Sequence, residues 1–468
     1  MSPTVRHPKR ILLRSGKSPY DVFSVEQALH QDVIATNSGN LIFQDAAHKI
    51  LETPDTEVFS NGGRTEVAAA ARINAEYDAF VVPLANAFRP SFEVALQRLT
   101  RLISKLRIPV VVLGVGAQTG VGYDAARLKR IEPTVRAFCS AVLERSASIG
   151  VRGEFTETYL RDMGFKDVEV IGCPSLFMYG NELDVRKEVP GLTADSRIAI
   201  NGSHSAVAKQ GLGRVITRTR ERYPNLRFIG QNLSDARQLH WRDLSDPVAS
   251  RVTAMPTHPD HPMYQEDKVR VYVDPITWID ELRPFDFSFG SRIHGNIAAL
   301  LAGTPATVLC GDSRTLELCR YFEIPHQLLD KVAKDPEATD PARLYEQADF
   351  SGLTGNHRER FERFTGFLDK NGLQNTFTHG DGGAAFEKRM RSLSFPPGVR
   401  PWNDTDLASL TTRFGWLHTQ VGELSKDNDR LRRELARSKR AKDAVPAPAA
   451  SVYRRARRVV GRALHPGK

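Results

Sequence analysis

The 468-residue sequence predicts an α/β protein built from two halves, each a parallel sheet covered by helices, with a cleft between them. Three observations predict it. Short apolar runs alternate with amphipathic stretches, the rhythm of βα units. The runs are continuously apolar, as strands buried on both faces of a parallel sheet must be. The rhythm stops at a polar stretch, residues 181–195, and then restarts.

In residues 1–180 the expected strands are Thr56–Phe59, Ala79–Pro83, Pro109–Gly114, Ser148–Val151 and Val168–Ile171, with helices such as Ser91–Lys105 and Thr156–Met163 between them. In residues 196–395 they are Arg197–Asn201, Leu226–Gly230, Val269–Val273, Phe285–Phe289 and Ala306–Leu309. Helices are expected at Val207–Tyr223 and Ile297–Ala302, and closing helices at Arg358–Lys370 and Ala384–Leu393, before Pro396-Pro397 breaks the pattern. Two Rossmann-like domains joined by a 181–195 connector follow, with ligands beyond the carboxyl ends of the strands.

Past Pro401 the pattern changes. Leu407, Phe414, Val421, Asn428 and Leu435 recur every seven residues, and so do Leu410, Leu417, Leu424 and Leu431. Both seam positions of a coiled coil over 403–440 are thereby filled. Asn at a seam position favours a parallel, in-register homodimer, in which Asp427 faces Arg432 and Glu434 faces Lys439. A lone amphipathic helix packed on the body is the other reading. Residues 441–450 form an Ala/Pro-rich linker. In 451–468 five arginines line a segment whose Val452, Ala456, Val459, Val460, Ala463 and Leu464 share one helical face. That composition suits the surface of an anionic membrane, or equally a solvated basic tail.

The net charge of +10 is confined to this end. Residues 430–468 hold thirteen Lys and Arg against two acids, so residues 1–429 are close to neutral and nucleic-acid binding by the body is not expected. Cys139, Cys173, Cys310 and Cys319 lack the spacing of a zinc site or a disulfide framework, and no metal is expected. Ile11-Leu12-Leu13 is too short for a secretion signal, and no run approaches the ~20 apolar residues that span a bilayer. A cytoplasmic protein is expected, peripheral at the inner membrane face if the tail binds there.

The segment richest in chemistry runs from Phe285 through Gly290-Ser291-Arg292-Ile293-His294-Gly295-Asn296 to Gly303. A strand ends, a polar turn follows, and a small-residue helix begins. The amide groups and dipole at its start favour an anion. Arg292 adds a permanently charged fork suited to carboxylate or phosphate, and His294 an acid/base that titrates near neutrality. Ser291 and Gly295 complete the anion-binding turn, Gly295 letting a ligand approach the backbone. The alternative is a capped helix whose arginine pairs with a structural carboxylate. Gly114-Val115-Gly116-Ala117-Gln118 also follows a strand. Its glycine spacing departs from a dinucleotide fingerprint, so Gly116 and Gln118 are read as cleft contacts.

These motifs carry a resemblance. "GSRIHGNIAALLAGTPATVLCGDSRTLELCRYFEIP" resembles the C-terminal signature of the polysaccharide pyruvyltransferase family, including the turn with Asp312, Arg314 and Glu317. Asn37-Ser38-Gly39-Asn40, "VVVLGVGAQ" and "SIGVRGEFTETYLRDMG…VEVIGCPSLF" resemble its N-terminal half, in order over residues 30–330. Two positions depart from the pattern: Asn40 and Cys173 stand where many members have an acid.

The resemblance implies a fold like the GT-B glycosyltransferases and transfer of pyruvyl from phosphoenolpyruvate to two hydroxyls of a saccharide, free, polymeric or lipid-linked. It implies a cyclic ketal as product, in surface polysaccharide or glycolipid synthesis, and no cofactor. Arg292 then binds the donor and His294 protonates its methylene carbon. Arg152 completes the anion cradle across the cleft, or forms an interdomain salt bridge. Asn37 and Ser38 bind sugar or cap their helix. Two other readings stay open: a nucleotide-sugar glycosyltransferase on the same frame, and a non-catalytic assembly protein at the membrane.

Overall fold

A computed structural model describes residues 7–332, 334–335 and 337–444. Residues up to Trp402 form one compact unit, and Asn403 onward a second. The first unit holds twelve strands: β1 (Lys9–Leu13), β2 (Thr56–Ser60), β3 (Ala79–Pro83), β4 (Val110–Leu113), β5 (Ile149–Val151), β6 (Val168–Val170), β7 (Ile198–Asn201), β8 (Leu226–Gly230), β9 (Val269–Val271), β10 (Phe287–Gly290), β11 (Ala306–Cys310) and β12 (His326–Leu328).

All strand pairs are parallel. The first sheet runs β2-β1-β3-β4, and the pair β5-β6 continues it through a parallel bridge between Val115 and Val151. The second runs β12-β11-β10-β7-β8-β9. The chain is thus an α/β protein of two parallel sheets, and residues 181–195 between them contain no helix or strand.

The ten strands read from the apolar runs are present, with ends shifted by up to two residues. Two others escape such a reading. β1, central in its sheet, offers only Ile11–Leu13 as apolar residues. Its start is covered by the Arg10 guanidinium, 4.8 Å from the Phe59 ring centre and 5.2 Å from that of Tyr77. β12 is a three-residue edge strand with no fully buried side chain. The expected Val207–Tyr223 helix is instead two helices, His204–Lys209 and Leu212–Arg222. Gly211, at φ +84°, breaks it in a conformation that side-chain-bearing residues avoid.

The helix Gly39–Leu51 lies between the sheets, with twelve of its thirteen residues buried. Its apolar residues join a cluster that includes Ile11, Leu13 and Val81 of the first sheet and Ala306 and Val308 of the second. At about 1.5–3 kcal/mol per fully buried large side chain, Ile42, Phe43, Ile50 and Leu51 offset the polar residues that go inside with them. Among these, Gln44 accepts from the Gly16 amide at 3.0 Å and Lys49 pairs with Glu387 at 2.5 Å. Asp45 has no hydrogen-bond partner among the described residues, and burial pushes its carboxyl up to about 7.

The second unit contains the single helix Leu407–Ala444. No helix among the described residues is long and apolar enough to cross a membrane. The basic segment 451–468 and most of the linker before it lie outside the described residues.

Candidate functional site

The strands of each sheet end in polar turns, and the turn after β10 shows how the sequence builds one. Gly290 adopts φ +146°, where a Cβ would stand 2.0 Å from the Asn201 carbonyl oxygen, so only glycine lets β10 end this close to β7. The Ser291 amide donates to the Asn201 carbonyl (3.1 Å) and the Arg292 amide to Asn201 Oδ1 (2.8 Å). Asn296, one turn into the Ile293–Leu301 helix, donates to the carbonyls of Gly290 and Arg292 (both 3.1 Å) and accepts from Asn201 and Ser288. Ser291 Oγ accepts from the Ser203 amide. These bonds hold the backbone of residues 290–292, so Arg292 and His294 start from a fixed turn.

Arg292 donates to Asn232 Oδ1 (2.5 Å) and more weakly to the Gly202 carbonyl (3.4 Å). It forms no ion pair with a carboxylate among the described residues. Burial lowers its guanidinium to about 10 despite the field of Asp235. Asn232 is held in turn by His204, whose Nδ1 lies 3.1 Å from Asn232 Nδ2 and whose Nε2 lies 3.1 Å from Asp235 Oδ1. The space over Gly295 is not open to a ligand. A Cβ there would meet Gln231 Nε2 at 2.5 Å and Asn201 Nδ2 at 2.9 Å, so this glycine admits the neighbouring amides instead.

His294 is buried at the same helix start. Its Nε2 lies 3.6 Å from Cys173 Sγ, and the Phe43 ring centre is 6.3 Å away. Burial first, then the charges of Arg152 and Arg314, drive the ring down to about 3, so it is neutral at pH 7 in the free protein. An imidazolium ready to give a proton, as the residue pattern suggests, is therefore absent from the free protein.

Arg152 follows β5 and is fully buried. Its amide donates to the Val115 carbonyl, and none of its three guanidinium nitrogens has a hydrogen-bond partner among the described residues. The salt-bridge alternative therefore does not describe it. Burial lowers its guanidinium, while Cys173, Glu317 and Asp312 work in the opposite direction and Arg314 with it. Glu317 accepts from the Thr156 amide and hydroxyl (2.9–3.0 Å), and burial pushes its carboxyl up to about 8. Gly116 fits where a Cβ would meet Ala85 O at 2.9 Å and Glu317 Oε1 at 3.2 Å.

The loop after β4 is bolted across to the second sheet's side. The Thr119 amide donates to Ser313 Oγ (2.8 Å), which donates to the Ala117 carbonyl (3.0 Å). Gln118 donates to Asp312 Oδ2 (3.2 Å) and accepts from Arg89 (3.4 Å), while Arg314 pairs with Asp312 at 2.9 Å. The fields of Arg89, Arg152, Arg292 and Arg314 reach one another through Arg314. Asp312 is the carboxylate paired directly with one of them. Such a cluster of one buried and three part-buried cations suits a ligand with several negative charges.

Of the residues read from the sequence, Arg292, His294, Arg152, Gly116, Gln118, Asp312, Arg314 and Glu317 converge here. The Asn37–Asn40 turn approaches it by its backbone. Gly39 packs so closely on His294 that a Cβ would stand 2.8 Å from His294 Cβ. Asn37 Oδ1 accepts from the Gly39 amide (2.9 Å), and Asn40 donates to the Ala35 carbonyl (2.9 Å). Ser38 Oγ neither caps the helix nor finds another partner. Just before them Ala35 and Thr36 hold φ of +50° and +64°, a strained conformation, unusual above all for a β-branched residue. Sequence reasoning missed Arg89, Asn201, Gln231, Asn232 and the His204–Asp235 pair. Three of them lie at or just past the carboxyl ends of β7 and β8, where the strand-end rule points.

Comparison with known families bears on this arrangement. The model of the family described as polysaccharide pyruvyl transferase matches residues 89–309. That assigns this segment to the polysaccharide pyruvyl transferase family. The chain is accordingly a transferase enzyme. The matched pyruvyl transferase segment takes in Arg89, Gly116, Gln118, Arg152, Arg292 and His294, and stops short of Asp312, Arg314 and Glu317.

No curated protein matches the chain. Among solved structures, the UDP-GlcNAc 2-epimerase of Methanocaldococcus jannaschii is 11% identical over 77% of this chain and 99% of its own, with a TM-score of 0.43. The Neisseria meningitidis UDP-GlcNAc 2-epimerase is 10% identical over 82% and 100%, with a TM-score of 0.38. Likeness this distant bears on none of this chain's chemistry.

Proposed function

We propose that this chain transfers the pyruvyl group of phosphoenolpyruvate to two hydroxyls of a saccharide, forming a cyclic ketal and releasing phosphate. The observation that carries the reading is Arg152, a fully buried guanidinium without a hydrogen-bond partner, in the same electrostatic cluster as His294 and Arg314. A buried cation left unpaired is costly, and an anionic substrate is what repays it. Phosphoenolpyruvate brings a carboxylate and a phosphate on adjacent atoms, matching more than one arginine.

In the proposed reaction the arginines bind both anionic groups, and His294 takes up a proton as their field is neutralised. It delivers that proton to the methylene carbon, which becomes the methyl group. An acceptor hydroxyl adds to the central carbon and returns its proton to His294. The second hydroxyl then replaces the phosphate oxygen, and its proton leaves with phosphate. No metal or cofactor enters. Asn40 is tied to its own turn, so it is not the group that activates the hydroxyl.

A donor screen with the purified chain tests the proposal. Phosphate release from phosphoenolpyruvate in the presence of saccharide acceptors, with product heavier by the pyruvyl increment, is the expected result. Release of nucleoside diphosphate from nucleotide sugars, with phosphoenolpyruvate untouched, overturns it.

The close contact between Gly39 and His294 gives a second expectation. Gly39→Ala pushes the ring aside by a few tenths of an ångström or more, and kcat is expected to fall by about 10²-fold, the usual cost of a misplaced catalytic group. KM for the donor should change little, because the arginines are untouched. Steady-state kinetics of the variant measure both, and an unchanged kcat would show that the placement of His294 is not critical.

A further inference from the structure

We propose that the Leu407–Ala444 helix is one half of a parallel, in-register two-stranded coiled coil, completed by a second copy of this chain. The helix is 38 residues long, and its large apolar side chains face water. Phe414, Leu417, Val421, Leu424, Leu431 and Leu435 are between 40% and 67% exposed. Among the described residues, more than half of the exposed large hydrophobics lie on this one helix. They form a single seam with alternating spacings of three and four, interrupted only by Asn428. Helices in water draw most of their stability from packing such a face, so the seam requires a partner.

The identity of the partner follows from the seam's own chemistry. Leucine fills the second seam position in every heptad from Leu410 to Leu431, a pattern that packs well between two identical parallel helices. In that register Asn428 meets Asn428 of the second copy, and the two amides satisfy each other. Turned antiparallel, or set against an apolar partner, Asn428 is buried opposite leucine with its amide unpaired. The flanking charges agree. Asp427 stands at the position that faces Arg432 of a parallel second copy, five residues further along. Asp427 also bonds Arg430 on its own helix at 3.0 Å, an exposed contact that it exchanges at little cost.

Sedimentation of the full-length chain at micromolar concentration tests the state of assembly. The expected species has twice the 52.2 kDa mass of one chain. The double variant Leu424→Asp/Leu431→Asp is expected to sediment as a monomer, with the thermal unfolding of the body unchanged because both positions are exposed and lie outside residues 1–402. Leu435→Cys reports direction. In a parallel dimer the two introduced thiols meet and are oxidised to a disulfide by copper phenanthroline and oxygen, doubling the mass on a denaturing gel. In an antiparallel pair they lie tens of ångströms apart, about 1.5 Å for each residue of separation along the axis. The four native cysteines are buried and supply no competing thiol. A monomeric wild type, a double variant that stays dimeric, or a dimer that fails to cross-link at position 435 each overturns the proposal.

Discussion

Replacing Arg152 with methionine is expected to lower kcat/KM for phosphoenolpyruvate by about 10²–10³-fold while leaving the unfolding temperature unchanged or higher. The two outcomes have one cause. The guanidinium is fully buried with no hydrogen-bond partner among the described residues, so in the unliganded protein the fields of Glu317 and Asp312 offset its burial without a direct bond. Methionine fills a similar channel without needing water or a counter-charge. A residue kept at the expense of stability is kept for what it binds, the trade expected of functional sites. Steady-state kinetics and thermal unfolding of the same preparation check both. If activity and stability fall together, Arg152 is a structural residue and the donor cradle must be sought elsewhere.

The second large effect concerns His294. His294→Gln is expected to reduce kcat by about 10²–10⁴-fold, the range for loss of a general acid. The more diagnostic result is in the pH dependence. The ring sits near 3 in the free protein, so under the proposed reaction donor binding brings in a proton at neutral pH. Donor affinity should then weaken by up to about tenfold for each unit of rising pH, as the proton becomes harder to supply. In the glutamine variant that slope should vanish. Isothermal titration of donor binding between pH 6 and 8, in buffers of different ionisation enthalpy, counts the proton directly. The same residue affects stability with a definite sign. Its folded value lies below the unfolded one near 6.5, so the unfolded chain takes up the proton first. Stability is therefore intact above about pH 6.5 and falls toward pH 3, by about 1.4 kcal/mol per pH unit for each such group. His48, buried and lowered to about 3, acts in the same direction.

The path from sequence to site was unequal in its two halves. The Gly290–Gly303 segment announced itself because strand, glycine turn, arginine, histidine and small-residue helix are contiguous, and local chemistry sufficed. Arg152 could be named because it closes a recognisable strand. What could not be seen was its isolation, since the lack of a partner is a property of packing around a residue far away in sequence from Arg292. Arg89 was invisible for the same reason. It follows no strand directly, and it joins the cluster through Gln118, Asp312 and the field of Arg314. β1 failed on composition, because a central strand with two basic residues at its start shows only three apolar positions. Conversely, the roles read for Asn37, Ser38 and Asn40 were side-chain roles. In the structure two of the three side chains go into local turn bonds, and the backbone of Gly39 makes the approach to His294.

The Gly39–Leu51 helix carries a consequence for how such an enzyme can change. It belongs by chain order to the first sheet's half, yet its start is pinned to the second by the Ser38 amide on the Gln231 carbonyl and the bridge between Asn37 and Asn232. Its apolar face closes a core shared by both sheets. The halves are therefore not interchangeable modules. Exchanging one half for that of a relative would leave this buried helix facing a surface that did not evolve with it.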